Sequence, residues 1–163
     1  CEFQFKTLKE NPRELLDEMR AKYVNRIIKP MITKKALDLV ESHRKQGHQL
    51  LIITATNSYI TKPIADLFGI SDLIGTDPEE LNGQFTGKVT GVPSFQEGKI
   101  TRLNSWLKFK GVSFEDFEKT FFYSDSMNDI PLLEIVSHPV AANPDATLKQ
   151  KAIDNDWPII QLR

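Results

Sequence analysis

Two aspartates four residues apart, Asp125 and Asp129, stand in the stretch Lys119–Leu133, KTFFYSDSMNDIPLL, with Ser126 and Asn128 between them. A pair of carboxylates with few cations nearby in sequence suits a hard divalent cation such as Mg²⁺. Two more residues offer matching chemistry. Thr54 lies near the end of the apolar run Gln49–Thr56, QLLIITAT, followed by the small polar residues Ala55, Thr56, Asn57 and Ser58. A hydroxyl there, with the next amides leading into a helix N-terminus, makes an anion site. Lys99 follows Gly98 at the start of another helical pattern, and its ammonium is a point charge suited to phosphate. Threonine, lysine and an acidic loop together fit phosphoryl transfer, in which catalysis is mainly positioning and charge stabilisation. Singly, each has a plainer reading. Thr54, Asn128 or Asp129 could cap a helix, Asp125 could shape a turn, and Lys99 could be a solvated surface lysine.

The elements that must position these residues alternate. Phe121–Tyr123 reads as a short buried strand ending at Ser124, and Ile130, Leu132 and Leu133 open a helix with Pro131 in its first turn. Gln49–Thr56 is a continuous apolar strand, as a sheet covered on both faces requires. A helix follows it to Phe68, closed by Gly69, and then a short strand over about 72–75. Leu81, Phe85 and Val89 around Asn82-Gly83 predict a β-hairpin, read as a flap outside the main sheet. Lys99–Phe109 is helical, with Ile100, Leu103, Trp106 and Leu107 inward, and Ser113 and Asp116 form a capping box. Val140–Ala142, Asp145–Ile153 and Trp157–Gln161 complete the order as strand, helix and strand. Upstream, residues 1–10 carry no clear pattern. Asn11-Pro12 is a helix start with Asn11 as cap, after which Leu15, Leu16, Met19, Tyr23, Ile27 and Ile28 recur at helical spacing until Pro30. A further helix over about 31–46, with Ala36, Leu37, Leu39 and Val40 inward, ends at Gly47. Such alternation predicts an α/β fold, a doubly wound, mostly parallel sheet with right-handed crossovers.

Bulk properties narrow the function. The chain has 163 residues and a net charge of −1, a size for one ordinary domain and a charge unlike that of a dedicated nucleic-acid binder. No apolar run approaches the roughly eighteen residues of a membrane span, and no signal-peptide pattern is present. Cys1 is the only cysteine, so no intrachain disulfide forms, and a reducing, cytoplasmic setting is expected. His43, His48 and His138 are scattered and read as structural or exposed, and Trp106 and Trp157 read as core.

Read together, Ile52-Ile53-Thr54-Ala55-Thr56, Gly98-Lys99 and Tyr123-Ser124-Asp125-Ser126-Met127-Asn128-Asp129 resemble the second, third and fourth motifs of the haloacid dehalogenase (HAD) superfamily of phosphatases. The phrases TATNSYIT, GVPSFQEGK and FYSDSMNDIPLLE are similar to its phosphoserine-phosphatase-like branch, subfamily IB. The resemblance runs from about Ile28 to the end of the sequence. It implies a HAD-like Rossmannoid core over 29–163, a β-hairpin flap, and the tail of a helical cap domain over 1–28. It further implies a Mg²⁺-dependent phosphomonoesterase acting on a small phosphorylated metabolite through an aspartyl-phosphate, with no nucleic-acid or membrane partner. By the same resemblance Thr54, Lys99 and Asp125 are catalytic, and Thr54, Ala55, Lys99 and Asn128 bind phosphate. Asp125 and Asp129 serve the metal. Phosphoserine, histidinol phosphate and other small phosphomonoesters are left open alike.

Two departures stand out. Ser124 and Ser126 replace common glycines of the fourth motif. The family's nucleophilic Asp-x-Asp-x-Thr motif does not occur in the sequence, and Asp154-Asn155-Asp156 is followed by Trp157-Pro158 and reads as loop. The expectation is that the chain lacks the first strand of the core and is inactive by itself. The alternative is a non-catalytic, phosphate-binding or structural remnant of such a phosphatase. A receiver domain of a signalling relay ranks below both, because there the aspartates precede the threonine and lysine.

Overall fold

The computed structural model describes residues 2–163, with side chains from residue 5 onward. The chain divides into two compact units, Cys1–Ser94 and Phe95–Arg163. The sequence boundary at 28/29 falls inside the first.

In the first unit, β1 (Leu51–Asn57) pairs in parallel with β2 (Asp72–Leu81), and β2 pairs antiparallel with β3 (Gln84–Thr90). The short strand and the flap of the sequence reading are therefore one continuous strand that serves both partners. Its turn is as expected. Asn82 and Gly83 both have positive φ, 51° and 77°, the conformation that a two-residue hairpin with matching twist requires. Between β1 and β2 runs α5 (Ser58–Leu67), so the crossover is the βαβ unit predicted from alternation.

Residues 1–10, patternless to sequence reasoning, contain α1 (Glu2–Glu10). Phe5 and Leu8 face the same way at i, i+3 and are buried with Leu16, Tyr59 and Phe85 in the main apolar cluster of this unit. Asn11 is not the cap of the next helix, α2 (Arg13–Tyr23). Pro12 holds that position, and the Asn11 amide donates back to the Thr7 carbonyl at 2.8 Å. Pro30 does not stop the helical run either. A π-helical turn over Val24–Ile28 carries it into α3 (Lys29–Met31), where Pro30 occupies the first turn.

The apolar face predicted on α2 is mostly unburied. Leu16 and Val24 are inside, whereas Leu15, Met19, Tyr23 and Ile27 are exposed. A polar clasp on the neighbouring face sets the rotation. Tyr59 donates from its hydroxyl to Asp17 at 2.7 Å, and Arg20 donates to Asp17 at 3.1 Å and to the Tyr59 carbonyl at 3.0 Å. The Arg20 guanidinium also lies 4.0 Å from the centre of the Tyr59 ring, a cation–π stack. Burial and the Asp17 bond push the Tyr59 hydroxyl up to about 12. α4 (Lys34–Lys45) is capped by Thr33, which accepts from the Ala36 amide at 3.2 Å. None of its residues is fully buried, and Leu37 is exposed. His43 and His48 meet through their Nδ1 atoms at 2.7 Å, and burial followed by the neighbouring His48 lowers the pKa of His43.

In the second unit, β4 (Phe121–Ser124), β5 (His138–Ala142) and β6 (Ile159–Ile160) form a parallel three-stranded sheet in that order. α6 (Glu97–Lys110) precedes β4, with Lys99, Leu103 and Leu107 buried. α7 (Ile130–Leu133) and α8 (Ala146–Asp154) bring Leu133 and Leu148 against Ala141 and Ala152, and Phe122, Ile130 and Trp157 pack around them. The capping geometry predicted at Ser113 is present, with its amide donating to the Asp116 carboxylate at 2.7 Å. His138 stacks on Phe121 at 4.5 Å, so the three histidines serve structure or lie at the surface. Among the described residues, no helix is long and apolar enough to cross a membrane.

Candidate active site

The acidic loop begins where β4 ends. Ser124, the last residue of the strand, is buried, and its hydroxyl donates to Asp129 Oδ2 at 2.6 Å while accepting from the Ser126 amide at 3.1 Å. Ser126 caps a single 3₁₀ turn, Met127–Asp129, by accepting from the Asn128 amide at 3.2 Å. Asp129 stands at the N-cap position of α7, as considered, but its side chain makes no capping bond there. That frees Asp129 to turn inward, where Oδ1 meets Lys99 Nζ at 2.5 Å. The side chains of Lys99 and Asp129 are 7% and 9% exposed, so Lys99 is no solvated surface lysine. Burial of this kind demands a paired charge.

Asp125 differs. Its carboxylate is exposed and lies 3.6 Å from Arg163, while its carbonyl accepts from the Asp145 amide at 2.8 Å. Asp145 then pins the loop. One carboxylate oxygen accepts from the Leu148 amide at 2.8 Å and the other from the Met127 amide at 2.6 Å. These bonds, the Leu148 amide foremost, hold Asp145 below the usual carboxylate range. Asn128 points its amide nitrogen to Ser126 Oγ at 3.2 Å and accepts from Gln96 at 3.5 Å. Gln96 itself sits just before α6 at φ 47°, a left-handed backbone conformation uncommon for a residue with a side chain.

As a donor set for Mg²⁺, the loop is unequal. Both Asp129 oxygens are already engaged, by Lys99 and Ser124. Asp125 presents an accessible carboxylate of the kind a hard cation takes. No group of three or more His, Cys, Asp or Glu side chains that could hold a metal ion occurs among the described residues.

Thr54 and Ala55 belong to the first unit, in an irregularity of the β1–β2 ladder. Ile53 pairs with Ile74 and Asn57 with Thr76, so Thr54, Ala55 and Thr56 span a stretch where the register shifts. Such interruptions re-aim side chains. Thr54 Oγ1 accepts from the Thr56 amide at 3.1 Å, and the buried Asn57 caps α5 by accepting from the Ile60 amide at 2.9 Å. Thr54 is therefore not the helix cap. The Ala55 carbonyl accepts from Thr76 Oγ1 at 3.0 Å, which in turn accepts from the Ser94 amide at 3.1 Å. Sequence reasoning missed this strut, as it missed Ser124, Gln96 and the loop-pinning role of Asp145. Two of them left a sequence signal, Asp145 as the start of a helix and Ser124 as a departure from the glycine common in the fourth motif.

Gly75 allows the irregularity. A Cβ there would stand 3.0 Å from Ser58 Cα, Ser58 N and the Thr56 carbonyl oxygen, all backbone atoms. Gly75→Ala is expected to destabilise the protein by ~1–3 kcal/mol, as overpacking does, and urea unfolding checks it.

The family model for haloacid dehalogenase-like hydrolases (HAD) matches residues 2–134. The chain belongs to that family. As a haloacid dehalogenase-like hydrolase it is an enzyme-family member, and several of its relatives carry phosphatase names. It is 43% identical over 162 residues to the histidinol-phosphatase of Neisseria meningitidis, covering 99% of this chain and 73% of that protein. It is 34% identical over 137 residues to the phosphoserine phosphatase SerB1 of Mycobacterium tuberculosis, covering 84% of this chain and 44% of that one. Among solved structures, a Bordetella pertussis protein of unknown function matches with a TM-score of 0.97 and 42% identity, over 99% of this chain and 73% of its own. The haloacid dehalogenase-like fold expected from the motifs is thereby shown.

Proposed function

We propose that the chain carries the phosphate- and metal-holding residues of a Mg²⁺-dependent phosphomonoester hydrolase that acts, in the cytoplasm, on a small phosphorylated metabolite through an aspartyl-phosphate. The single observation that carries this reading is the buried pair of Lys99 with Asp129, a residue four positions along the loop from the exposed carboxylate of Asp125. Lys99 has three N–H donors, and the contact with Asp129 aims the ammonium. Its positive charge suits the equatorial oxygens of a transferring phosphoryl group. Asp125 is the residue proposed to hold Mg²⁺, with Asp129 acting on the ion's water shell. When bound, that ion neutralises phosphoryl charge. Thr54, Ala55 and Asn128 are proposed as further phosphate-binding residues, Thr54 through its hydroxyl. The covalent step is assigned to no residue of the chain. The similarity to a histidinol-phosphatase favours histidinol phosphate as the substrate to try first, ahead of phosphoserine.

Calorimetric titration with inorganic phosphate tests the reading. Binding is expected to require Mg²⁺, and Asp125→Asn is expected to weaken it by about tenfold to a hundredfold. Phosphate affinity that ignores both Mg²⁺ and Asp125 would sink the proposal. Histidinol phosphate should compete better than phosphoserine. The reverse order would shift the substrate assignment.

A further inference from the structure

Ser124 is the one buried hydroxyl in the acidic loop that no step above uses. It occupies a position where the family's fourth motif commonly has glycine, so its bonds are additions to the ordinary loop. It lies at the end of β4, 7% exposed. Its hydroxyl donates to Asp129 Oδ2 at 2.6 Å and accepts from the Ser126 amide at 3.1 Å. The other oxygen of the same carboxylate meets Lys99 Nζ at 2.5 Å. A carboxylate on a single side-chain torsion pair can rotate. With Oδ2 fixed to a strand-end hydroxyl, Oδ1 has one direction left, and the lysine ammonium follows it.

We infer that Ser124 is a positioning residue. Its hydroxyl orients Asp129, and through Asp129 it places the Lys99 ammonium for the phosphoryl group. The inference rests on the proposed phosphatase reading. The geometry supports it in two ways. A hydrogen bond to a charged acceptor is short and strong, and both residues that make this one are buried. The same hydroxyl also satisfies the Ser126 amide, so it couples the loop backbone to the direction of the ion pair. Partners that orient a site residue from behind typically matter about tenfold to a hundredfold.

The test uses the full 163-residue chain and its Ser124→Ala and Ser124→Thr variants. Two readouts are taken beside the melting temperature. One is the NMR signal of the lysine ammonium groups, with Lys99 identified by the peak lost in Lys99→Met. The other is affinity for inorganic phosphate in Mg²⁺. In Ser124→Ala the Lys99 signal is expected to shift or broaden through faster exchange, and phosphate affinity to fall by about tenfold. Ser124→Thr, which keeps the hydroxyl, is expected to restore both. An unmoved Lys99 signal in a folded Ser124→Ala overturns the positioning inference, whatever happens to phosphate. Equal loss of signal in Ser124→Thr overturns it too, because the cause is then strand-end packing and not the hydroxyl. A parent chain that shows the sharp Lys99 signal but binds no phosphate overturns the functional reading instead, and with it the role assigned to the orientation.

Discussion

Lys99→Met is expected to cost the protein about 3–5 kcal/mol of stability, because it leaves the Asp129 carboxylate buried without its counter-charge. The two side chains are 7% and 9% exposed, so solvent screening does little to soften the loss. The Ser124 hydroxyl would still donate to Asp129, but as a neutral partner. Urea unfolding measures the effect as a fall in midpoint at unchanged slope. Asp129→Asn in the same chain should recover part of it, since a neutral amide beside methionine carries a smaller burial penalty than a bare carboxylate. The double-mutant cycle isolates the coupling between the two positions. A single Lys99→Met variant within about 0.5 kcal/mol of the parent, the range of ordinary surface changes, would show that the pair is solvated in solution. Phosphate binding should vanish in both variants, and for Asp129→Asn this holds with the lysine still present, because its ammonium has lost the contact that aims it.

Leu133→Ala is expected to cost about 2–5 kcal/mol, the range for truncating a buried leucine. Leu133 is fully buried against Ala141, Leu148 and Ala152. α7 has four residues, too short to be stable by its own hydrogen bonds. Its side-chain contacts therefore hold it, and Asp129 immediately precedes it. A cavity at Leu133 should loosen the loop as well as the core, so phosphate affinity should fall together with the unfolding midpoint. Phe109→Ser is the contrast. Phe109 is 85% exposed, and its loss should change stability by no more than about 0.5 kcal/mol. If Leu133→Ala behaves like Phe109→Ser, α7 is not anchored by the cluster described here.

Sequence alone determined the parts of this protein that depend on local chemistry. The apolar runs of β1 and β4 end abruptly in small polar residues, and both strands lie where those runs place them. Asn82-Gly83 makes the turn it announces, because only residues tolerant of positive φ fit there. The order of strands and helices dictated a parallel α/β arrangement, since parallel neighbours need a crossover. Candidate residues were legible for the same reason. Thr54, Lys99, Asp125 and Asp129 are chemically marked, and their motif spacing survives without coordinates.

The tertiary structure decided what depends on partners distant in sequence. β2 was too polar beyond Gly75 to read as a strand continuing from the parallel ladder into the hairpin, yet pairing on alternate sides keeps it extended. α1 was silent because Phe5 and Leu8 acquire meaning only against Tyr59 and Phe85. On α2 the periodicity was correct and the buried side was not, since Asp17 and Arg20 hold the helix to Tyr59 by bonds that no hydrophobic pattern encodes. In the acidic loop, spacing paired Asp129 with Asp125 as metal residues. Folding turned it to Lys99, thirty positions back in the chain, because a buried carboxylate takes the nearest buried cation, and a strand-end serine holds it there.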